Sequence, residues 1–206
     1  MASKGAQRLL YKRFLVGDDR KVKGRSNISK TGGGARDVRF GPWEKFEDIV
    51  KVMFPETTIK MTRRKDPRTG KYARHEAVVH VGTLLYQDDL RGRAQMAAMA
   101  VELWEPTGAR AFEGRLARAG KLPPFRPGTM PAGKGSVFML LAQDANGMLG
   151  GTWVTEHALR NHQGWYKPFQ QALLDALDGA SATANVRGFI DLQTGEQCQL
   201  IGRVRG

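Results

Sequence analysis

Cysteine is nearly missing from the sequence. The single Cys198 excludes an internal disulfide framework, and Cys-based zinc ribbons, zinc fingers and iron–sulfur clusters go with it. Long apolar runs are missing too: no stretch approaches the ~18–20 residues of a membrane helix. The basic N-terminus, with Lys4, Arg8, Lys12 and Arg13, leads into no apolar core or small-residue cleavage site. These absences predict a soluble, cytoplasmic protein with no membrane partner.

The motifs of metal and nucleotide chemistry are equally scarce. A restriction-type nuclease needs an acidic residue at a strand end and then Asp/Glu-x-Lys on the next strand, to hold magnesium and activate water. No Glu-x-Lys triplet occurs, and Asp19-Arg20-Lys21, the looser form, lies in a polar loop. His75, His80, His157 and His162 have no Cys or acidic partner at zinc-ligand spacing, so they read as ordinary polar or half-buried histidines. In Lys30-Thr31-Gly32-Gly33-Gly34 the order is reversed from that of a phosphate-cradling nucleotide loop. Cys198 reads as a structural thiol between Gln197 and Gln199. No cofactor and no catalytic residue is expected.

What the chain has is positive charge, unevenly placed. The 206 residues are 41% hydrophobic and 26% charged, ordinary for one folded domain. The net charge, however, is +13. From Met1 to His75 there are 20 Lys/Arg against 8 Asp/Glu, whereas from Glu76 onward there are 13 against 12. Charge kept only for solubility would be dispersed, so the excess points to a polyanion surface. A membrane-surface helix would pair such charge with a large apolar face; this region is rich in glycine and turn formers instead, which favours nucleic acid.

Periodicity divides the chain into short strands and two helices. Residues 8–16 form an apolar-basic opening strand or helix. Trp43, Phe46, Ile49, Val50, Met53 and Phe54 share one helical face between Pro42 and Pro55. Thr57 to Arg74 reads as a basic, turn-rich connection around Asp66-Pro67-Arg68-Thr69-Gly70. Strands follow over 77–81 and 97–104, with a paired return within 109–116. A hairpin over 137–141 and 149–154 turns at Asp144-Ala145-Asn146-Gly147, and another spans 186–192 and 197–204. Trp165, Phe169, Leu173, Leu174 and Leu177 mark the second helix, with Gly179 beyond its end. The expected class is mainly β with two helices (α+β), a seven-stranded barrel-like architecture.

Tyr11-Lys12-Arg13, the passage from Asn27 through Thr31-Gly32 into a small-residue run, and a helix ending at Phe54-Pro55 are followed in order by the strand over 77–81 and the hairpin through Phe138 and Trp153. This succession resembles the N-terminal DNA-recognition domain of EcoRII-type restriction endonucleases, a pseudobarrel also used by plant auxin-response transcription factors. The resemblance implies two arms that grip duplex DNA, one around residues 25–39 and one around 110–134. The expected DNA-binding set is Lys12, Arg13, Arg25, Asn27, Lys30, Thr31, Gly32, Gly33, Gly34, Arg36, Asp37, Arg39, Arg118, Lys121 and Arg126. The family's Gly-His-Gln run is replaced by Ala35-Arg36-Asp37-Val38-Arg39, which leaves the target sequence open. The resemblance also implies a setting in prokaryotic restriction, antiviral defence or regulation, with cleavage left to a separate nuclease or effector protein.

The residues themselves are compatible with such an arm. Glycines let a loop enter a groove, Lys30 suits phosphate, and Arg36 with Asp37 offers a donor and an acceptor to base edges. The alternative is a surface cluster in which Asp37 pairs with Arg36 or Arg39. Trp43 and Phe46 read as core rather than base-stacking groups, given their helical spacing. Two other functions remain open: a metal-dependent nuclease assembled from Asp88, Asp89, Glu102 and Glu113, and an RNA-binding protein.

Overall fold

The computed structural model describes residues 5–14, 38–66, 68–88, 93–107, 114–117, 137–161, 164, 166–181 and 185–202. Within them lie ten strands: β1 (Ala6–Phe14), β2 (Val38–Phe40), β3 (Glu56–Lys65), β4 (Tyr72–Asp88), β5 (Arg93–Trp104), β6 (Gly114–Ala117), β7 (Val137–Asp144), β8 (Leu149–Thr155), β9 (Asn185–Asp191) and β10 (Gln197–Gly202). They form one sheet in the order β10-β9-β1-β7-β8-β4-β5-β6-β2, with β3 paired to β4 off this path, and the sheet is curled into a half-barrel. The contacts between neighbours are antiparallel except β4 with β8, where Leu84–Gln87 run parallel to Leu149–Thr152.

Strand alternation separates two cores. In β1, Leu10 points to one face and Leu9 and Tyr11 to the other; in β7, Met139 and Leu141 oppose Phe138, Leu140 and Ala142. The first face is covered by helix α1 (Glu47–Met53), entered through a 3-10 turn at Trp43–Lys45, with Phe46, Ile49, Val50 and Met53 buried. The second is covered by α2 (Glu156–Asn161) and α3 (Gln170–Asp178), through Leu159, Leu173, Ala176 and Leu177, and by Phe169 of the 3-10 turn that leads into α3. Burial on both faces explains why β7 reads as a nearly continuous apolar run, which in β1 is interrupted by the buried Lys12 and Arg13.

The mainly β, α+β class therefore holds, but the sheet has ten strands among the described residues rather than seven. Residues 8–16 resolve to strand over the described part, and the hairpins at Asp144 and before Gln197 occur as expected. The largest correction is at Thr57–Arg74, which is no connection: it is the two arms of the β3–β4 hairpin, with only the turn at Asp66 in place. Helix α2 was not expected either. Its signal is Thr155, whose Oγ1 accepts the Ala158 N–H at 3.0 Å and caps the first turn.

Candidate functional site

The β3–β4 hairpin starts from β-branched residues, Thr57, Thr58, Ile59 and Thr62, which favour extended backbone. Its tip is closed by Asp66. The Asp66 carboxylate accepts the N–H of Arg68 at 2.7 Å and of Thr69 at 3.3 Å, and Gly70 supplies the left-handed turn residue at φ 68°. Those backbone donors hold the Asp66 carboxyl below its ordinary pKa. β5 joins β4 only from Val79 onward, so Tyr72 to Val78 pair with β3 alone. Ile59 to Lys65 are thus one arm of a two-stranded ribbon about 20 Å long at ~3.4 Å per residue.

The ribbon is heavily basic. From Ile59 to Val78 there are seven Lys/Arg against two acidic residues, Asp66 and Glu76. Lys60 pairs with Glu102 at 2.6 Å. Arg63, Arg68, Lys71 and Arg74 are exposed, and among the described residues none has an acidic partner. The register sets Arg63 directly opposite Arg74, a like-charge cross-strand pair that weakens a free hairpin. The same outward face carries Ile59, Met61 and Tyr72, at 57%, 57% and 68% exposure.

The ribbon's other face carries Lys60, Thr62 and Arg64, and Lys60 reaches across β4 to Glu102 on β5. Glu102 and Trp104 lie on β5, Arg115 on β6 and Arg39 on β2. Arg39 and Arg115 are directly opposed, a second like-charge pair. Arg115 Cζ sits 4.8 Å from the centre of the Trp104 ring, and Trp104 Nε1 donates to Glu102 at 3.2 Å. Burial first, and then the like charges of Arg115 and Arg39, lower the Arg64 guanidinium from its ordinary value.

Of the residues expected to bind DNA, Arg39 is exposed within this cluster. Lys12 and Arg13 are instead inside, each 3% exposed. Lys12 Nζ donates to the Arg39 carbonyl at 3.2 Å, and Arg13 Nη1 to that of Ser181 at 2.8 Å. Burial lowers the Arg13 guanidinium, opposed by Glu156. These two cations tie β1 to its neighbours, so the basic count of the N-terminal third overstates the charge offered to a ligand. Arg25, Asn27, Lys30, Thr31, Gly32, Gly33, Gly34, Arg36, Asp37, Arg118, Lys121 and Arg126 lie outside the described residues. The topology does join the two expected arms to one place: the chain enters β2 at Val38 and leaves β6 at Ala117, and Val38 is paired with Leu116.

Among the described residues no group of three His, Cys, Asp or Glu is placed to hold a metal ion. Of the four acidic residues considered for a nuclease, Glu102 is engaged by Lys60 and Trp104, Asp88 ends β4, and Asp89 and Glu113 lie outside the described residues. His80 is buried at the ribbon's root, with Nδ1 2.9 Å from the Phe54 carbonyl and Nε2 2.7 Å from Glu105 Oε1. Burial pushes the Cys198 thiol up, away from the reactive thiolate. Phe46 is fully buried and Trp43 packs against the same core, as their spacing predicts. No family model, curated protein or solved structure matches the chain, and the site is therefore read from its own chemistry.

Proposed function

We propose that the protein binds double-stranded DNA without cleaving it, inserting the β3–β4 ribbon into the major groove. The observation that carries this reading is the solitary basic ribbon with Arg63 set against Arg74. A fold gains nothing from opposing two arginines on an exposed hairpin, whereas a phosphate-lined groove neutralises both. Shape favours DNA over RNA: the B-form major groove is about 12 Å wide and admits a two-stranded ribbon, while that of A-form RNA is deep and narrow. The cations would position the ribbon on phosphates, and the outward Ile59, Met61 and Tyr72 would meet base edges and thymine methyl groups. A setting in restriction, defence or regulation, with a separate effector, is part of the proposal on the strength of the resemblance above.

The test is incubation of the purified protein with labelled duplex DNA, single strands and duplex RNA, in EDTA and in magnesium or manganese. Duplex DNA bound most tightly in EDTA and left intact in metal is the expected result. Multiple-turnover cleavage abolished by Glu102→Ala would establish a nuclease, and equal affinity for duplex RNA would remove the groove argument.

A further inference from the structure

The ribbon leaves the body of the sheet at His80. β5 joins β4 from Val79 onward, and His80 stands between Thr57 of β3 and Leu103 of β5. Its side chain is 2% exposed and lies between two acceptors. Nδ1 is 2.9 Å from the Phe54 carbonyl oxygen at the end of α1, and Nε2 is 2.7 Å from Glu105 Oε1. Carbonyl and carboxylate oxygens only accept, while a neutral imidazole has a single N–H. Both bonds therefore exist together only when the pair holds one proton more than a neutral imidazole beside a carboxylate, whether that proton sits on Nε2 or on Oε1. Glu105 is itself fastened to β4, its N–H donating to the Val78 carbonyl at 3.0 Å. Of the groups around the pair among the described residues, Thr57, Leu103 and the Trp43 ring, 6.3 Å from the imidazole, are uncharged. From α1, Lys51 acts on Glu105 through its charge and is bonded to Glu47 at 2.6 Å; from β3, the exposed Glu56 stands opposite Val81, one place along from His80.

We propose that His80 and Glu105 form a proton-operated latch at the root of the ribbon. With the extra proton in place, one imidazole ties β4 both to the end of α1 and to the chain just past β5, and the ribbon's direction is fixed. When that proton leaves, one N–H faces two acceptors, so one link opens and a buried polar atom loses its partner. The latch is closed at low pH and opens as pH rises. Its effect on the ligand rests on the DNA-binding reading: the closed latch presents the ribbon, and duplex affinity falls as the pair loses its proton.

The discriminating variant is Glu105→Gln. A glutamine amide can donate to an unprotonated Nε2 or accept from a protonated one, so both links survive at every pH. Amide hydrogen exchange of Tyr72 to Val78 is followed in the full chain from about pH 5.5 to about pH 8.5, the span over which imidazoles change charge. Spectra of histidine-15N samples report the protonation of His80, identified by the signal that His80→Gln lacks. Comparing the two proteins at each pH cancels the intrinsic dependence of exchange on pH, and the exposed His75 is common to both. Equal exchange is expected while the proton is held, and exchange about tenfold faster in wild type once it is lost. Equal exchange throughout overturns the latch, as does a gap that opens at a pH other than that of the His80 titration. A His80 ring with one unprotonated nitrogen and an ionised Glu105 at the acid end overturns it in wild type alone. At fixed ionic strength, affinity for labelled duplex DNA is expected to fall over the same step in wild type and not in Glu105→Gln. A latch seen in exchange, with no DNA bound at any pH, keeps the latch and defeats the DNA reading; DNA binding with the same pH dependence in both proteins defeats the latch's control of the ribbon.

Discussion

Replacing Arg63, Arg68, Lys71 and Arg74 together by Gln tests the ribbon most directly. All four are exposed and among the described residues have no acidic partner, so their charge is available to a ligand. If each neutralises one phosphate, the four contribute about 3.6 to the salt slope, at ~0.9 per contact on B-form DNA. Between about 50 and 200 mM salt this amounts to a roughly 150-fold loss of affinity that wild type suffers and the variant escapes. Fluorescence anisotropy of a labelled duplex over that range gives both slopes. The fold should survive, because the four side chains reach no core, and the Arg63–Arg74 repulsion is removed with them. An unchanged or slightly raised unfolding midpoint is expected. Slopes that agree within about 1, with the fold intact, would show that phosphates are bound elsewhere and refute the ribbon's assignment.

Three further outcomes follow from the same geometry. Met61→Ala and Tyr72→Ala, on the outward face, should reduce discrimination between a selected site and a scrambled duplex without changing the salt slope; equal weakening of both duplexes would deny that face a reading role. Gly188→Ala should destabilise by about 1–3 kcal/mol, measured by urea unfolding, because a Cβ there would fall on the Cys198 carbonyl oxygen and the Tyr11 hydroxyl; a wild-type midpoint would contradict the packing. For Asp191, burial acts to raise its pKa, but the hydrogen bond from Arg8 at 2.8 Å and those from the N–H groups of Gln193 and Thr194 outweigh it and hold the carboxyl below its ordinary value. Its stabilisation is present above the unfolded pKa near 3.9 and lost as pH falls through the lower folded value, so the stability gap to Asp191→Asn should be full at pH 6 and shrink below about pH 4. A gap that does not vary with pH would contradict the assignment.

The elements legible in the sequence are those whose burial imposes a period. Helix α1 announced itself through Phe46, Ile49, Val50 and Met53, and α3 through Phe169, Leu173 and Leu177, because each has a single core-facing stripe. The ribbon was illegible for the converse reason: both faces of Ile59 to Lys65 lie outside the core, so no burial pattern marks them. The β-branched content of residues 57–62 and the alternation of Ile59 with Met61 were the available signals, masked by the basic residues around them. The charge excess marked the basic third of the chain. It gave no way to tell Lys12, which spans to the Arg39 carbonyl inside the fold, from Arg63, which faces solvent. That distinction depends on which strands become neighbours, and β1 meets β7 and β9 from far along the chain.

A two-stranded hairpin on its own is marginal in water, and opposed arginines weaken it further. Here the deficit is met at the root. β4 runs 17 residues, and its second half is an interior strand held between β5 and β8, with Leu84 fully buried. At the junction, buried His80 links β4 to the end of α1 through the Phe54 carbonyl and to the chain just past β5 through Glu105. Val79 on the same stretch is fully buried, while Glu76, three residues earlier, is exposed. The ribbon is therefore a lever whose direction is set by the core and whose far end carries a charge the fold does not need. Neutralising that charge would remove the repulsion between its strands. If duplex DNA is the ligand as proposed, binding and strand pairing in the distal ribbon are coupled: each phosphate engaged by Arg63 or Arg74 would also stabilise the pairing that presents the other.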